Sequence, residues 1–243
     1  MDRSLRAGSA VFAVAMGAMG VLMLARPEVQ HALEPLPKWL PGRSLVAGLS
    51  GALLIASAVT ILIDRRARSG AVAIAGLLSF GMLLDIRLVF RNPGTPAWAV
   101  AFEAVVLGSA AWTLAGMLGF PQRLRVAARC GFGVSLLAFG LFHFVYHGYI
   151  ESVVPAWIPG HTFWTYSIGC ALIAAGLAIL TGIKARLAAT LLAIMFGSWV
   201  IILHAPRLAA AGLTSVNEWS SLLIALACCG ASWIMRESLT PTA

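Results

Sequence analysis

The sequence predicts an all-α, polytopic membrane protein of about eight transmembrane helices, arranged as two parallel tandem four-helix repeats. Three observations lead there: an apolar composition, a succession of bilayer-length apolar runs, and a self-similarity at a fixed shift. Of 243 residues, 60% are hydrophobic and 11% charged, and the mean hydropathy is +0.91. A water-soluble fold of this length has too little interior to hide so many apolar side chains, so lipid is the expected solvent for most of the chain.

Eight apolar runs lie near residues 8–25, 44–63, 70–90, 96–119, 127–149, 162–182, 185–204 and 219–235. Each is roughly 17 to 24 residues long, close to the length that crosses about 30 Å of hydrocarbon as a helix. The first follows Arg3 and Arg6 in the manner of a secretory signal, but it exits through Leu24, Ala25, Arg26 and Pro27 with no small-x-small cleavage site, so it is expected to stay as a span. Residues 26–43 form a Pro-rich loop in which Trp39 suits the headgroup level. Gly48 and Gly51, with many Ala and Ser, let the second run approach a neighbour closely. The third and fourth runs carry a secondary polar cluster, Asp85, Arg87 and Glu103, in which pairing of acid with arginine is the simplest way to insert charge. Pro155, Pro159 and Gly160 stop the fifth run, His161 opens the sixth, the seventh ends at His204 and Arg207, and Asn217 suits the N-cap of the eighth.

A shift of 118 residues lays Leu36–Gly42 (LPKWLPG) on Val154–Gly160 (VPAWIPG) and Gly51–Arg68 on Gly169–Arg186, the latter with identities at 8 of 18 positions. Shared Trp, Pro and Arg at fixed spacing is not what unrelated apolar helices show, so two units are expected, residues 1–121 and 122–243, with Arg123–Arg129 as the boundary. An even number of spans per unit makes the copies run in the same direction. The first unit reads as scaffold, because its counterpart of His143 to Glu151 is MLARPEVQH from Met23.

Basic residues set the orientation. With both termini on one side, that side collects 11 of the 17 Lys and Arg with three acids, against six basic and six acidic residues opposite. Both termini are therefore expected in the cytoplasm, in a bacterial inner membrane, with the residues after His143 opening outward. The pI near 10.2 reads as topology and affinity for a lipid surface rather than for nucleic acid, since the basic residues sit in short loops. Four cysteines without a C-x-x-C, three of them toward cytoplasmic helix ends, read as small packing residues.

The functional candidate is the polar set of the second unit. His143, His147 and Glu151 recur every four residues, which on a continuous helix puts them within about 80° of one another. With His161, His204, Asn217 and Glu218 they form a candidate ligand pocket at one membrane side, beside Arg207. Three readings stay open. His143, His147 and His204 could share a metal ion or haem, although no H-E-x-x-H fixes it. The imidazoles, carboxylates and Tyr146, Tyr149 and Tyr166 could exchange protons with a quinone. Alternatively, the groups bond across helices and seal the bundle.

On these residues the second unit resembles the DoxX/DoxD-like family of four-span membrane proteins. The likeness is carried by FHFVYHGYIESVVPAWIPGHTFW from Phe142, IAAGLAILTGIKARLAATLL from Ile173, LHAPR from Leu203 and NEWSSL from Asn217, over about residues 129–235. The resemblance implies an inner-membrane helical bundle within a quinone-linked or stress-related redox assembly, with other redox subunits as partners. It equally implies the alternative of a non-enzymatic scaffold or assembly factor. It carries no catalytic motif onto individual residues. The chain has no nucleotide loop, flavin fingerprint or thiol pair, so redox chemistry here needs a bound cofactor or another subunit.

Overall fold

In lipid a backbone N–H or C=O finds no water, so an apolar run must satisfy its own hydrogen bonds and becomes a helix. A computed structural model describes residues 1, 3–26, 41–64, 66–91, 97–121 and 123–239, the side chains of 84–89, 91 and 97 excepted. Its long helices are α1 (Arg3–Ala25), α2 (Arg43–Leu62), α3 (Ala67–Arg91), α4 (Ala97–Met117), α5 (Arg123–Val145), α7 (His161–Thr181), α8 (Ala185–Trp199) and α10 (Val216–Ser238). Two short helices, α6 (His147–Val153) and α9 (Ala205–Ala210), lie between them, and a π-helical turn, Val200–His204, joins α8 to α9.

Among the described residues, seven helical segments are long and apolar enough to cross a membrane: Arg3–Ala25, Arg43–Leu62, Trp98–Met117, Arg123–Val145, His161–Thr181, Ala185–Ala210 and Val216–Ser238. In α3 the corresponding apolar part is the shorter Ala67–Leu83. The Pro-rich loop with Trp39 and His31 lies outside the described residues.

The helices close a ring in chain order. α1 packs on α2, α2 on α3, α3 on α4, α4 on α5, α5 on α7, α7 on α8, α8 on α10, and α10 returns to α1; α4 and α10 also touch across the centre. The starts of α5, α7, α8 and α10 follow those of α1, α2, α3 and α4 by 118 to 120 residues. Matching helix pairs cross at matching glycines. A Cβ on Gly20 would lie 2.5 Å from the Gly51 carbonyl oxygen, and one on Gly140 would lie 2.8 Å from that of Gly169. Only glycine lets these backbones meet. Phe12, Met16 and Leu54 fill one side of the interior, Phe132, Leu136 and Leu172 the other. Leu45, Phe80, Ile194 and Ile201 stand exposed on the outside, as lipid-facing residues do.

At the end bearing the termini, Asp64 pairs with Arg6 at 2.8 Å and with the amino terminus at 3.6 Å. The Ser4 hydroxyl donates to Glu237, which also pairs with Arg236, and the Trp233 indole N–H donates to the Ser4 carbonyl, tying α1 to α10.

Candidate functional site

The straight polar stripe expected from His143 to Glu151 does not form, because the helix breaks at Tyr146 (φ −109°, ψ 29°). Gly148, a weak helix former, and Pro155 follow within three turns and leave little to hold the rod straight. His143 stays on α5, where its ring bonds the Phe139 carbonyl at 2.8 Å. A carbonyl only accepts, so Nδ1 donates and Nε2 of the neutral ring is left as an acceptor. His147 swings outward with α6. Its side chain is 52% exposed, lies 3.6 Å from Glu151, and packs on Tyr166 with ring centroids 5.9 Å apart.

His204 owes its position to Pro206. Proline has no N–H and its ring crowds the carbonyl four residues back, so a regular helix cannot run through it. The chain widens instead: the Ala205 N–H reaches back five residues to the Val200 carbonyl, closing the π-helical turn that ends at His204. Three residues on, Arg207 pairs with Glu218 of α10 at 2.9 Å, both largely buried. Nδ1 of His204 and Oε2 of Glu218 are buried with no hydrogen-bond partner among the described residues. A buried polar atom in that state costs about 1–3 kcal/mol, a standing invitation to a ligand donor or a water.

His143 and His204 line a cavity of about 250 Å³ at the end of the bundle bearing α6. Its polar groups are Glu103, His143, His204 and Ser221. Phe139, Phe142, Phe196 and Trp199 form apolar walls, and Ala225 and Cys228 of α10 line the far side. Ser221 donates to the Asn217 carbonyl at 3.0 Å, which leaves its oxygen free to accept. A second, apolar groove of about 540 Å³ lies outside, between α7, α8 and the 154–159 connection, with Trp157, Trp164, Ile202 and Trp199 in its lining. Trp199 lines both hollows.

The structure thus brings His143 and His204 together and adds Glu103, which the sequence had grouped with Asp85 and Arg87. Those two lie on α3 with side chains outside the described residues. Glu103 reaches the cavity because α4 packs against both α5 and α10. The remaining candidates stand elsewhere. His147 and Glu151 face each other on α6, His161 is the first residue of α7 and only half-buried, and Glu218 answers Arg207. Asn217 is exposed, and the N-cap of α10 is Ser215. For the ion that His143, His147 and His204 could share, the described residues offer no group of three or more His, Cys, Asp or Glu able to hold a metal. Cys228, expected near a helix end, sits at mid-helix. Ser221, Trp199 and Cys228 were missed; only Ser221 had a sequence marker, because the 118-residue shift lays it on Glu103.

An all-helical chain with seven such apolar helices fits a multi-pass membrane protein, here with a cavity of mixed imidazole, carboxylate and aromatic character. Residues 132–215 match the model of a family described as a domain of unknown function, DUF8561. That stretch contains His143, His147, His161 and His204, and leaves out Glu103 and Glu218. No curated protein matches the chain, and no solved structure does.

Proposed function

We propose that the chain is an eight-span, DoxX-like protein of the bacterial inner membrane whose second half holds a small lipid-soluble redox molecule of the quinone class. It would serve as the membrane component of a redox assembly. The observation that carries this reading is the cavity in which Glu103, His143 and His204 meet among aromatic walls. Ligand sites are apolar hollows with a few convergent polar groups, typically about 300–1,000 Å³. A volume of about 250 Å³ suits one ring-sized headgroup. His143 and Ser221 offer acceptors to a ring hydroxyl, and the histidines and Glu103 are groups that can exchange its protons. The apolar groove behind Trp199 faces outward between α7 and α8, a route for a molecule dissolved in the bilayer. Electrons would come from a partner subunit.

The two-repeat layout draws support from the 118-to-120-residue spacing of helix starts and from the paired glycine crossings. Cytoplasmic termini rest on the basic residues gathered at that end. A second reading, a non-enzymatic scaffold, is favoured by one observation: the Arg207–Glu218 pair ties α9 to α10 and so has a structural use of its own.

The test is organic extraction of the detergent-purified protein followed by mass spectrometry and absorption spectroscopy. A quinone retained by the wild type and reduced at least tenfold in His143→Ala and Glu103→Gln supports the pocket. An empty wild-type extract, with added quinone binding the wild type and His143→Ala alike, supports the scaffold.

A further inference from the structure

A second hollow lies at the opposite end of the same half. Between α5, the α7–α8 turn and the C-terminal end of α10 is a depression of about 570 Å³ lined by Arg129, Lys184 and Arg186 together with Gly182 and Ser238. A neighbouring depression of about 300 Å³ shares Arg129 and adds Arg125. Two of the four cations are held in place: Arg129 donates to the Leu180 carbonyl and Arg125 to the Ser238 carbonyl, each at 3.1 Å. None of the ion pairs among the described residues includes Arg129, Lys184 or Arg186.

The first half handles the same place differently. At the 118-residue shift, Gly182 corresponds to Asp64, Lys184 to Arg66 and Arg186 to Arg68. Asp64 and Gly182 share the left-handed backbone, with φ 61° and 84°. Asp64 neutralises Arg6 and the amino terminus, whereas its counterpart has no side chain. The second half thus lacks an acid where cations converge, which leaves Arg129, Lys184 and Arg186 available to an external anion.

What comes next along the surface identifies its source. Lys184 and Leu187 also line an apolar furrow of about 310 Å³ that climbs the seam between α7 and α8, floored by Ala171, Ala174 and Ala178. A cationic basin opening directly into an apolar furrow matches an amphiphile with an anionic head and a hydrocarbon tail. We infer that the second half carries a binding site for an anionic glycerophospholipid, its phosphate on Arg129, Lys184 and Arg186 and an acyl chain in the α7–α8 furrow. Basic pockets between membrane helices recognise such headgroups through charge and hydrogen bonds.

Native mass spectrometry of the full chain, with phosphatidylglycerol, phosphatidylcholine or inorganic phosphate added, tests this. One phosphatidylglycerol per chain should survive activation that strips phosphatidylcholine. Lys184→Gln with Arg186→Gln should lower its retention at least tenfold, and Arg66→Gln with Arg68→Gln should leave it unchanged. Gly182→Asp, which restores the acid of the first half at a backbone angle that aspartate already adopts there, should lower it as well. Ala174→Leu should weaken the lipid without making the chain bind phosphate. Equal retention of phosphatidylcholine, equal loss in the Arg66/Arg68 variant, or full displacement by inorganic phosphate would each overturn the site.

Discussion

The interiors of the two halves differ most where their helices correspond best. Aligning α1 with α5 at 120 residues and the later helices at 118 sets Met19 opposite Phe139, Met23 opposite His143, Leu78 opposite Phe196 and Leu107 opposite Ala225. In the first half Met19, Met23, Leu54, Leu78 and Leu107 are all buried. In the second, Ala225 withdraws three carbons from the position Leu107 fills, and the hollow lined by His143 lies there. Of these pairings Leu107 to Ala225 is the one that removes substantial volume from the second half, and protein interiors do not close up around missing atoms. The packed half still takes part: its α4 supplies Glu103, across the centre from Ser221.

The comparison can be broken at several points. The largest effect is expected at the partly buried Arg207–Glu218 pair, whose 118-residue counterparts are Val89 and Val100. Arg207→Ala, which strands the carboxylate, should cost about 3–5 kcal/mol, whereas the double change to Val at both positions should lie within about 1 kcal/mol of wild type in chemical denaturation. If the double variant is as damaged as the single one, the two halves are not interchangeable there. Next come the glycine crossings. Gly20→Val and Gly140→Val should each lower stability by about 1–3 kcal/mol or prevent assembly, and by similar amounts, measured as thermal inactivation in detergent. A large asymmetry would show that only one crossing is a close contact.

Filling the cavity sharpens the contrast. Ala225→Leu copies the first half, and at ~24 cal/mol per Å³ of cavity removed it should raise the stability of the empty protein by about 2 kcal/mol. The same change should abolish retention of an extracted quinone. A gain in stability with unchanged retention would place the ligand elsewhere. The smallest effect is expected at the terminal end, where Asp64→Asn gives up a half-exposed pair with Arg6 and should cost about 0.2–1 kcal/mol, with loss of any salt dependence of the melting temperature that the pair confers.

Most of the helical plan was legible from the residues. Each marked apolar run overlaps a long helix, because helix formation in lipid depends on a local property, hydrophobicity over a bilayer length; the fifth run nevertheless continues past Tyr146, where α5 has ended, and seven segments among the described residues, against the eight expected, are long and apolar enough to cross a membrane. The candidate site was legible only in part. His143 and His204 stood out as polar groups in apolar surroundings. Their regular spacing with His147 misled, since periodicity assumes an unbroken helix and Tyr146 ends one. Glu103 was read with its neighbours on the third and fourth runs, because sequence distance says nothing about which helix faces α5.

By itself the sequence determined an all-helical chain rich in bilayer-length segments, the 118-residue echo within it, and the side chains available for chemistry. The tertiary structure alone decided which of those side chains share a space: it brought Glu103 in from the other half to the hollow that His143 and His204 line. The reason is physical. Helix formation is settled within a turn or two of chain, whereas a cavity is what remains after several helices pack, and it depends on volumes contributed by residues far apart in sequence.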